Sequence, residues 1–290
     1  MTTTVPRPAP FPPSAARRVG PTPAPPPSTA GNGPPVSPRQ FSVSSGRMLG
    51  AAQRIMIYGP GGVGKTTLAS LSPNPVFLDV EQGTRQLDVP RVDGLEIFDD
   101  LRACLQSNAL DGYGTLVLDS ATKTEELAIA HTLSTVRTDK GDVATSVESY
   151  SYGRGLQHVY ETYLLLLQDL DRHIHAGRNI ILIAHDCTAN VPHPAVEDYL
   201  RFEPHLQTSK SGRASIRNRV VQWTDHCFFL GYDVFSKDGK GLGQGTRTIW
   251  PIDRPSHIAK SRILTDPMPF DSPTNSAVWD LIFQKNRGAT

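Results

Sequence analysis

The stretch GPGGVGKTT, Gly59 to Thr67, limits what this chain can fold into more than any other. Four residues separate Gly59 from Gly64, and Lys65 and Thr66 follow at once, which is the spacing of a phosphate-binding loop. The apolar run RIMIY (Arg54 to Tyr58) before it reads as a buried strand, and KTTLASL after it opens a helix. Gly59, Gly61, Gly62 and Gly64 let backbone N–H groups turn inward without a Cβ in the way, and Pro60 and Val63 complete the loop between them. The helix N-terminus adds its partial positive charge at the same spot. Lys65 is then placed to reach the β- and γ-phosphates of a nucleotide and the Thr66 hydroxyl to hold Mg²⁺, with Thr67 closing the binding set. The bland alternative is a glycine-rich turn with no ligand, which would not need a strand before it and a helix after it.

The chain has 290 residues, 38% hydrophobic and 20% charged, enough for one sizeable α/β domain or two small ones. A formal net charge of +1 favours no particular partner. The distribution is more telling, because six arginines precede the first acidic residue, Asp79. Thirteen of the 25 prolines lie between Pro6 and Pro38, interleaved with Ala, Ser, Thr and Gly. Such a segment cannot bury enough apolar surface to offset its ordering entropy, so residues 1–45 are expected to form a disordered, partly polyproline-II tail and 46–290 the folded domain. The tail either keeps the protein soluble or tethers a protein partner. Cys104, Cys187 and Cys227 are an odd, scattered set with no CxxC pair, which fits a reducing cytoplasm. No apolar run is long enough for a membrane span and no signal-peptide core is present, so a cytoplasmic protein without a membrane partner is expected.

Three later apolar runs end in polar residues, as parallel strands do at a ligand-binding edge: PVFLDVEQGT, GTLVLDSATKT and NIILIAHD. Helical patterns lie between them, notably the amphipathic LQHVYETYLLLLQDLDRHIHAG, so the expected fold is an α/β layered sheet. Asp119, ending the second run, reads as the carboxylate that supports Mg²⁺ behind Thr66. Glu81, just past the first run, reads as the base that orients and deprotonates an attacking water, the alternative being a solvated loop acid. The later HCFFLGYDVFSKDGKGLGQGTRTIWPI reads as two strands joined by a glycine-rich turn. His185, Asp186, Cys187 and His193 match no common zinc spacing.

FLDVEQGT, LVLDSATK and IILIAH, in this order after the P-loop, resemble the core of RecA-like ATPases. With SYGRGLQHVY and the late AKSR, the pattern over about residues 50 to 270 is similar to the short RecA-like ATPases of bacteriophages, a group that includes single-strand annealing proteins. The resemblance implies a RecA-like P-loop NTPase core, a mostly parallel sheet flanked by helices with a C-terminal β-hairpin. It implies ATP and Mg²⁺ as ligands, Lys65, Thr66 and Asp119 at phosphate and metal, and Glu81 as the catalytic base. His185 stands where RecA has a γ-phosphate-sensing Gln, or is a strand-end histidine satisfied by its neighbours. Lys260 and Arg262 match a cationic pair that reaches a neighbouring subunit's nucleotide, which implies a homo-oligomer, ring or filament; otherwise they are surface charges. Single-stranded DNA is the implied partner, held by two loops. These are Thr132 to Gly155 and Cys187 to Arg219, with Lys210, Arg213, Arg217 and Arg219 as the basic patch and Tyr150, Tyr152, Tyr199 and Phe202 for stacking.

Three functions follow: an ATP-dependent single-strand DNA-binding and annealing protein of a phage recombination system, a partition-type ATPase, and a regulatory ATPase switching a protein interface. The partition class places a Lys before the GG pair, where this chain has Pro60.

Overall fold

The computed structural model describes residues 51–193, 195, 197–209, 212–237 and 240–283. The tail expected at 1–45 lies outside them, and so does Lys210. In chain order the elements are β1 (Arg54–Tyr58), α1 (Lys65–Ser70), β2 (Pro75–Asp79), β3 (Arg91–Val92), α2 (Phe98–Gln106), β4 (Thr115–Asp119), α3 (Ala121–Thr135), α4 (Arg154–His175) and β5 (Asn179–Ala184). There follow β6 (Asp186–Val191), β7 (Tyr199–Pro204), α5 (Ile216–Trp223), β8 (His226–Lys237), β9 (Lys240–Trp250), β10 (Met268–Pro269) and α6 (Ala277–Ile282).

Strand alternation builds the core. Each central strand is buried on both faces, so its odd and even residues enter two different clusters. Met56, Tyr58, Val76, Leu78, Leu116, Leu118, Ile180 and Leu182 face α2, α3 and α4, where Leu101, Ala128, Tyr163 and Leu166 meet them. Ile55, Ile57, Phe77, Val117, Ile181 and Ile183 face α1 and α6. Trp279 of α6 closes that second layer, 2% exposed, with Nε1 donating to Leu68 O at 2.8 Å. No described helix is long and apolar enough to cross a membrane.

Among the described residues the main sheet has the order β10-β9-β8-β1-β5-β4-β2-β3. Pairing is parallel from β8 through β3, and β8–β9 and β9–β10 are antiparallel. One strand, β5, therefore stands between the P-loop strand and the strand that ends in Asp119. This is a RecA-like P-loop NTPase fold with the C-terminal hairpin that the sequence implies.

The expected DNA loops differ from the structure. Most of Cys187–Arg219 is ordered: β6 and β7 form an antiparallel hairpin from Asp186↔Pro204 to Val191↔Tyr199, and α5 begins at Ile216. Backbone bonds between Phe202 and the Ser256–Ile258 segment fasten this hairpin to the domain. In the first segment α3 continues to Thr135, and two short 3₁₀ turns, Val147–Ser149 and Ser151–Gly153, precede α4. Tyr150 is 4% exposed and donates to Thr132 O and Val136 O, so its ring is core rather than a base-stacking surface.

Candidate active site

The P-loop leaves the C-terminal end of β1 and enters α1 at Lys65. Two glycines in it are required by geometry. Gly64, the N-cap of α1, has φ +104°, a conformation that L side chains rarely adopt. At Gly59 an added Cβ would lie 2.0 Å from Leu230 O, inside the neighbouring strand β8.

Lys65 is 7% exposed, and its Nζ donates to Gly59 O at 2.7 Å and Pro60 O at 2.9 Å. The ammonium thus bridges the start of the loop from inside. Burial pushes its pKa down, and the charges of Asp119, Asp186 and Glu81 oppose that shift. Thr66 Oγ1 donates to Asp119 Oδ2 at 2.8 Å. This hydroxyl–carboxylate pair, beside a phosphate nest, fits a magnesium–nucleotide ligand: it supplies two oxygens and leaves the rest to phosphates and water. Asp119 is 4% exposed. Burial pushes its carboxyl up to about 6, and the charges of Glu81 and Asp79 add to this while Thr66 and Lys65 oppose it.

Glu81 follows β2 by two residues, and its side chain is 28% exposed. Ser120 Oγ donates to Glu81 Oε1, and His185 Nε2 lies 3.0 Å from the same oxygen and 3.3 Å from Oε2. Ser120 also caps α3 by accepting from Lys123 N at 3.1 Å. The Asp119–Ser120 peptide is cis. His185 sits between β5 and β6, its N–H held by Thr122 Oγ1 at 3.1 Å and its carbonyl by His205 N at 2.8 Å. Glu81, Asp119, His185, Lys65 and Thr66 are therefore one constellation, assembled from the C-terminal ends of β1, β2, β4 and β5. Asp79, the other strand-end acid, turns aside to accept from Gly83 N, Thr84 N and Thr84 Oγ1, which shapes the turn that presents Glu81.

The other sequence candidates lie elsewhere. Arg217 does not join an open basic patch: its side chain is 11% exposed and pairs with Glu203, which Arg201 also holds at 2.6 Å. Burying Glu203 requires those cations, and that draws Arg217 inward. Arg213 and Arg219 are exposed and form no ion pair among the described residues. Phe202 stacks on Phe229 at 5.3 Å, whereas Tyr152 is 95% exposed. Arg262 lies 3.3 Å from Asp225, and Lys260 Nζ donates to Gln222 O at 3.3 Å. Asp225 N donates to Arg54 O at 2.7 Å, so both cations sit where β1 begins, at the sheet edge opposite the P-loop. Neither reaches Lys65 of its own chain.

Three further contributors stand out once the fold is seen. Ser120 has a signal in the sequence, since a Ser between a strand-end Asp and a helix marks an N-cap. Tyr232 and Arg247 have none. Tyr232 OH donates to Gly62 O at 3.2 Å and Arg247 Nη1 to Val63 O at 3.1 Å, from 170 and 184 positions along the chain.

Residues 51–263 match the model of a family described as an AAA domain. No curated protein matches the sequence. Among solved structures, a KaiC-like protein of the hyperthermophilic archaeon Pyrococcus horikoshii aligns at 14% identity and TM-score 0.39, over 77% of this chain and 87% of that one.

A buried carboxylate with a raised pKa costs stability wherever it is ionised. Asp119 adds stability that is complete below the value of an unfolded aspartate and is lost as pH rises through about 6. Asp119→Asn keeps an acceptor for Thr66 and removes the titration. Without metal or nucleotide, its stability relative to wild type should rise by about 1–2 kcal/mol between pH 5 and pH 8, measured by urea denaturation. A pH-independent difference would show that Asp119 is solvated.

Proposed function

The chain belongs to the AAA domain family, and from that premise we propose that it is a Mg²⁺-dependent ATPase whose turnover is coupled to single-stranded DNA on the β6–β7 and α5 face. The observation that carries this reading is the placing of Glu81 between Ser120 and His185. His185 runs directly into β6, so whatever moves the hairpin also moves the partner of the catalytic carboxylate.

The phosphates would lie against the N–H groups of Gly59 and residues 61–66, with Lys65 Nζ exchanging loop carbonyls for phosphate oxygens. Thr66 and Asp119 would hold Mg²⁺, which would supply neutralisation of phosphate charge. Glu81 accepts the proton of the attacking water at Oε. While His185 Nε2 is spent on Glu81, the carboxylate is steadied but engaged; donation from His185 to a γ-phosphate oxygen frees Glu81 to take the proton. Arg213 and Arg219 provide exposed cations for a phosphate backbone. Leu200, 69% exposed on β7, favours a second reading in which a protein surface docks on the same hairpin and the chain is a regulatory ATPase.

Glu81→Gln should bind ATP as wild type does while phosphate release slows by ~10²–10⁴-fold, whereas Lys65→Ala should lose nucleotide binding. Normal turnover in the glutamine variant would remove Glu81 from the base role. Arg213→Ala with Arg219→Ala should weaken binding to a labelled single-stranded oligonucleotide and lower the salt slope by ~1 for each phosphate no longer neutralised. If no oligonucleotide binds or stimulates turnover, the regulatory reading replaces the nucleic-acid one.

Lys260 and Arg262 face away from their own P-loop, as a head-to-tail assembly requires if they are to act on a neighbour. Turnover per subunit should then climb with protein concentration, and Lys260→Ala with Arg262→Ala should flatten that rise. Mixing this variant with Lys65→Ala should restore part of the activity. Concentration-independent turnover with no recovery on mixing would count against a shared site.

A further inference from the structure

Two side chains of the β8–β9 hairpin hold the P-loop by its carbonyls. Tyr232 OH donates to Gly62 O at 3.2 Å and Arg247 Nη1 to Val63 O at 3.1 Å. They are register partners across the hairpin, at the position where its pairing shifts between Tyr232 and Val234. A shift of this kind re-aims the side chains beside it. Arg247 is fixed from its other side, with its guanidinium carbon 4.8 Å from the centre of the Phe270 ring, and that ring is fully buried. Phe270 N in turn donates to Arg247 O at 2.8 Å. The approach is close: a Cβ on Gly64 would come within 2.9 Å of Arg247 Nη1 and 3.0 Å of Phe270.

The consequence follows from peptide planarity. In a trans peptide the C=O of one residue and the N–H of the next point in opposite directions. Fixing Gly62 O therefore fixes the Val63 N–H, and fixing Val63 O fixes the Gly64 N–H. These N–H groups belong to the loop read as the phosphate nest, and among the described residues Val63 N has only a long 3.4 Å approach to Pro60 O. The hairpin flanks β1 on the side away from β5, β4 and β2, so this hold is independent of the Thr66–Asp119 bond. We propose that Tyr232 and Arg247 are positioning residues that clamp the carbonyls of Gly62 and Val63 and thereby preset the loop for the phosphates of a nucleotide. The clamp rests on the reading of this loop as a triphosphate site. Its ligand class is the phosphate chain, not the base.

The test uses the full-length chain with Arg247→Met, Arg247→Lys and Tyr232→Phe. Amide hydrogen exchange of residues 59–67 without ligand reads the clamp directly; inorganic tripolyphosphate and ATP read its effect. Arg247→Met should speed exchange in this segment and weaken both ligands together by about tenfold, the loss of one charge-assisted hydrogen bond. Turnover at saturating ATP should change by less than ~2-fold, because the hold acts on binding and not on Glu81. Arg247→Lys should recover most of the affinity. Tyr232→Phe, an exposed and nearly isosteric change, should show the same pattern at smaller size, which keeps the test decisive should Arg247→Met misfold. Unchanged exchange in residues 59–67, or ATP weakened while tripolyphosphate is not, would overturn the clamp. Faster exchange in a protein whose wild type binds neither ligand would support the clamp and overturn the nucleotide reading instead.

Discussion

The hydrogen bond from Thr66 Oγ1 to Asp119 Oδ2 joins the first turn of the P-loop helix to a strand two positions away in the sheet. Asp119 is nearly fully buried, which disfavours its charge, and its partners are the groups that make the site: Thr66, Lys65 and, as a like charge, Glu81. A carboxylate in that position is a standing cost to the fold. It is tolerable because β4 is anchored on both faces, with Leu116 and Leu118 in one core cluster and Val117 in the other. The rigidity of the central strands is what allows an unfavourable group to be held within hydrogen-bonding distance of the loop.

From that bond the site extends in two directions that do different work. Toward β2, the ends of neighbouring parallel strands bring Glu81, Ser120 and His185 together, and the three are linked by hydrogen bonds. Toward β9, Tyr232 and Arg247 donate to loop carbonyls. In the proposed function the first group handles a proton and the second fixes dipoles. Because β1 lies between them, a change in one flank need not disturb the other, and the proposed roles in binding and turnover would then be separable.

The sheet is largely legible in the sequence because its strands are short, apolar and bounded by turn residues, and because a P-loop fixes which strand comes first. RIMIY is β1 at Arg54–Tyr58, and LVLD is the end of β4. The site acids are legible for the same reason: in parallel strands a polar residue after an apolar run marks the ligand edge. Cys187–Arg219 reads as loop because the segment as a whole is long, polar and rich in Ser, Thr and Gly, although YLRFEP carries Tyr199, Leu200 and Phe202. The β6–β7 hairpin is stabilised by pairing of its two strands and by backbone bonds from Phe202 to the Ser256–Ile258 segment, which local composition cannot reveal. Arg217 misleads for a related reason. A cation in a Ser- and Gly-rich stretch looks solvated until the buried Glu203 that claims it is placed beside it. Tyr232 and Arg247 carry no local signal, since only the folded hairpin brings them to Gly62 and Val63.

The charge balance bears on how a metal enters. Lys65 is influenced by Asp119, Asp186 and Glu81, and Asp119 by Glu81 and Asp79, so carboxylates outnumber the ammonium around this point. A net acidic cluster attracts a divalent cation. Yet among the described residues no group of three or more His, Cys, Asp or Glu side chains converges on a metal position. Thr66 and Asp119 together offer too few oxygens for Mg²⁺, which demands octahedral coordination and gives up its waters reluctantly. Under the proposed function the missing ligands would come from phosphate oxygens and water. Metal and nucleotide would then bind as one ligand, each completing the other's site, with the loop's N–H groups and Lys65 neutralising the phosphates and the metal offsetting the desolvation that burial imposes on Asp119.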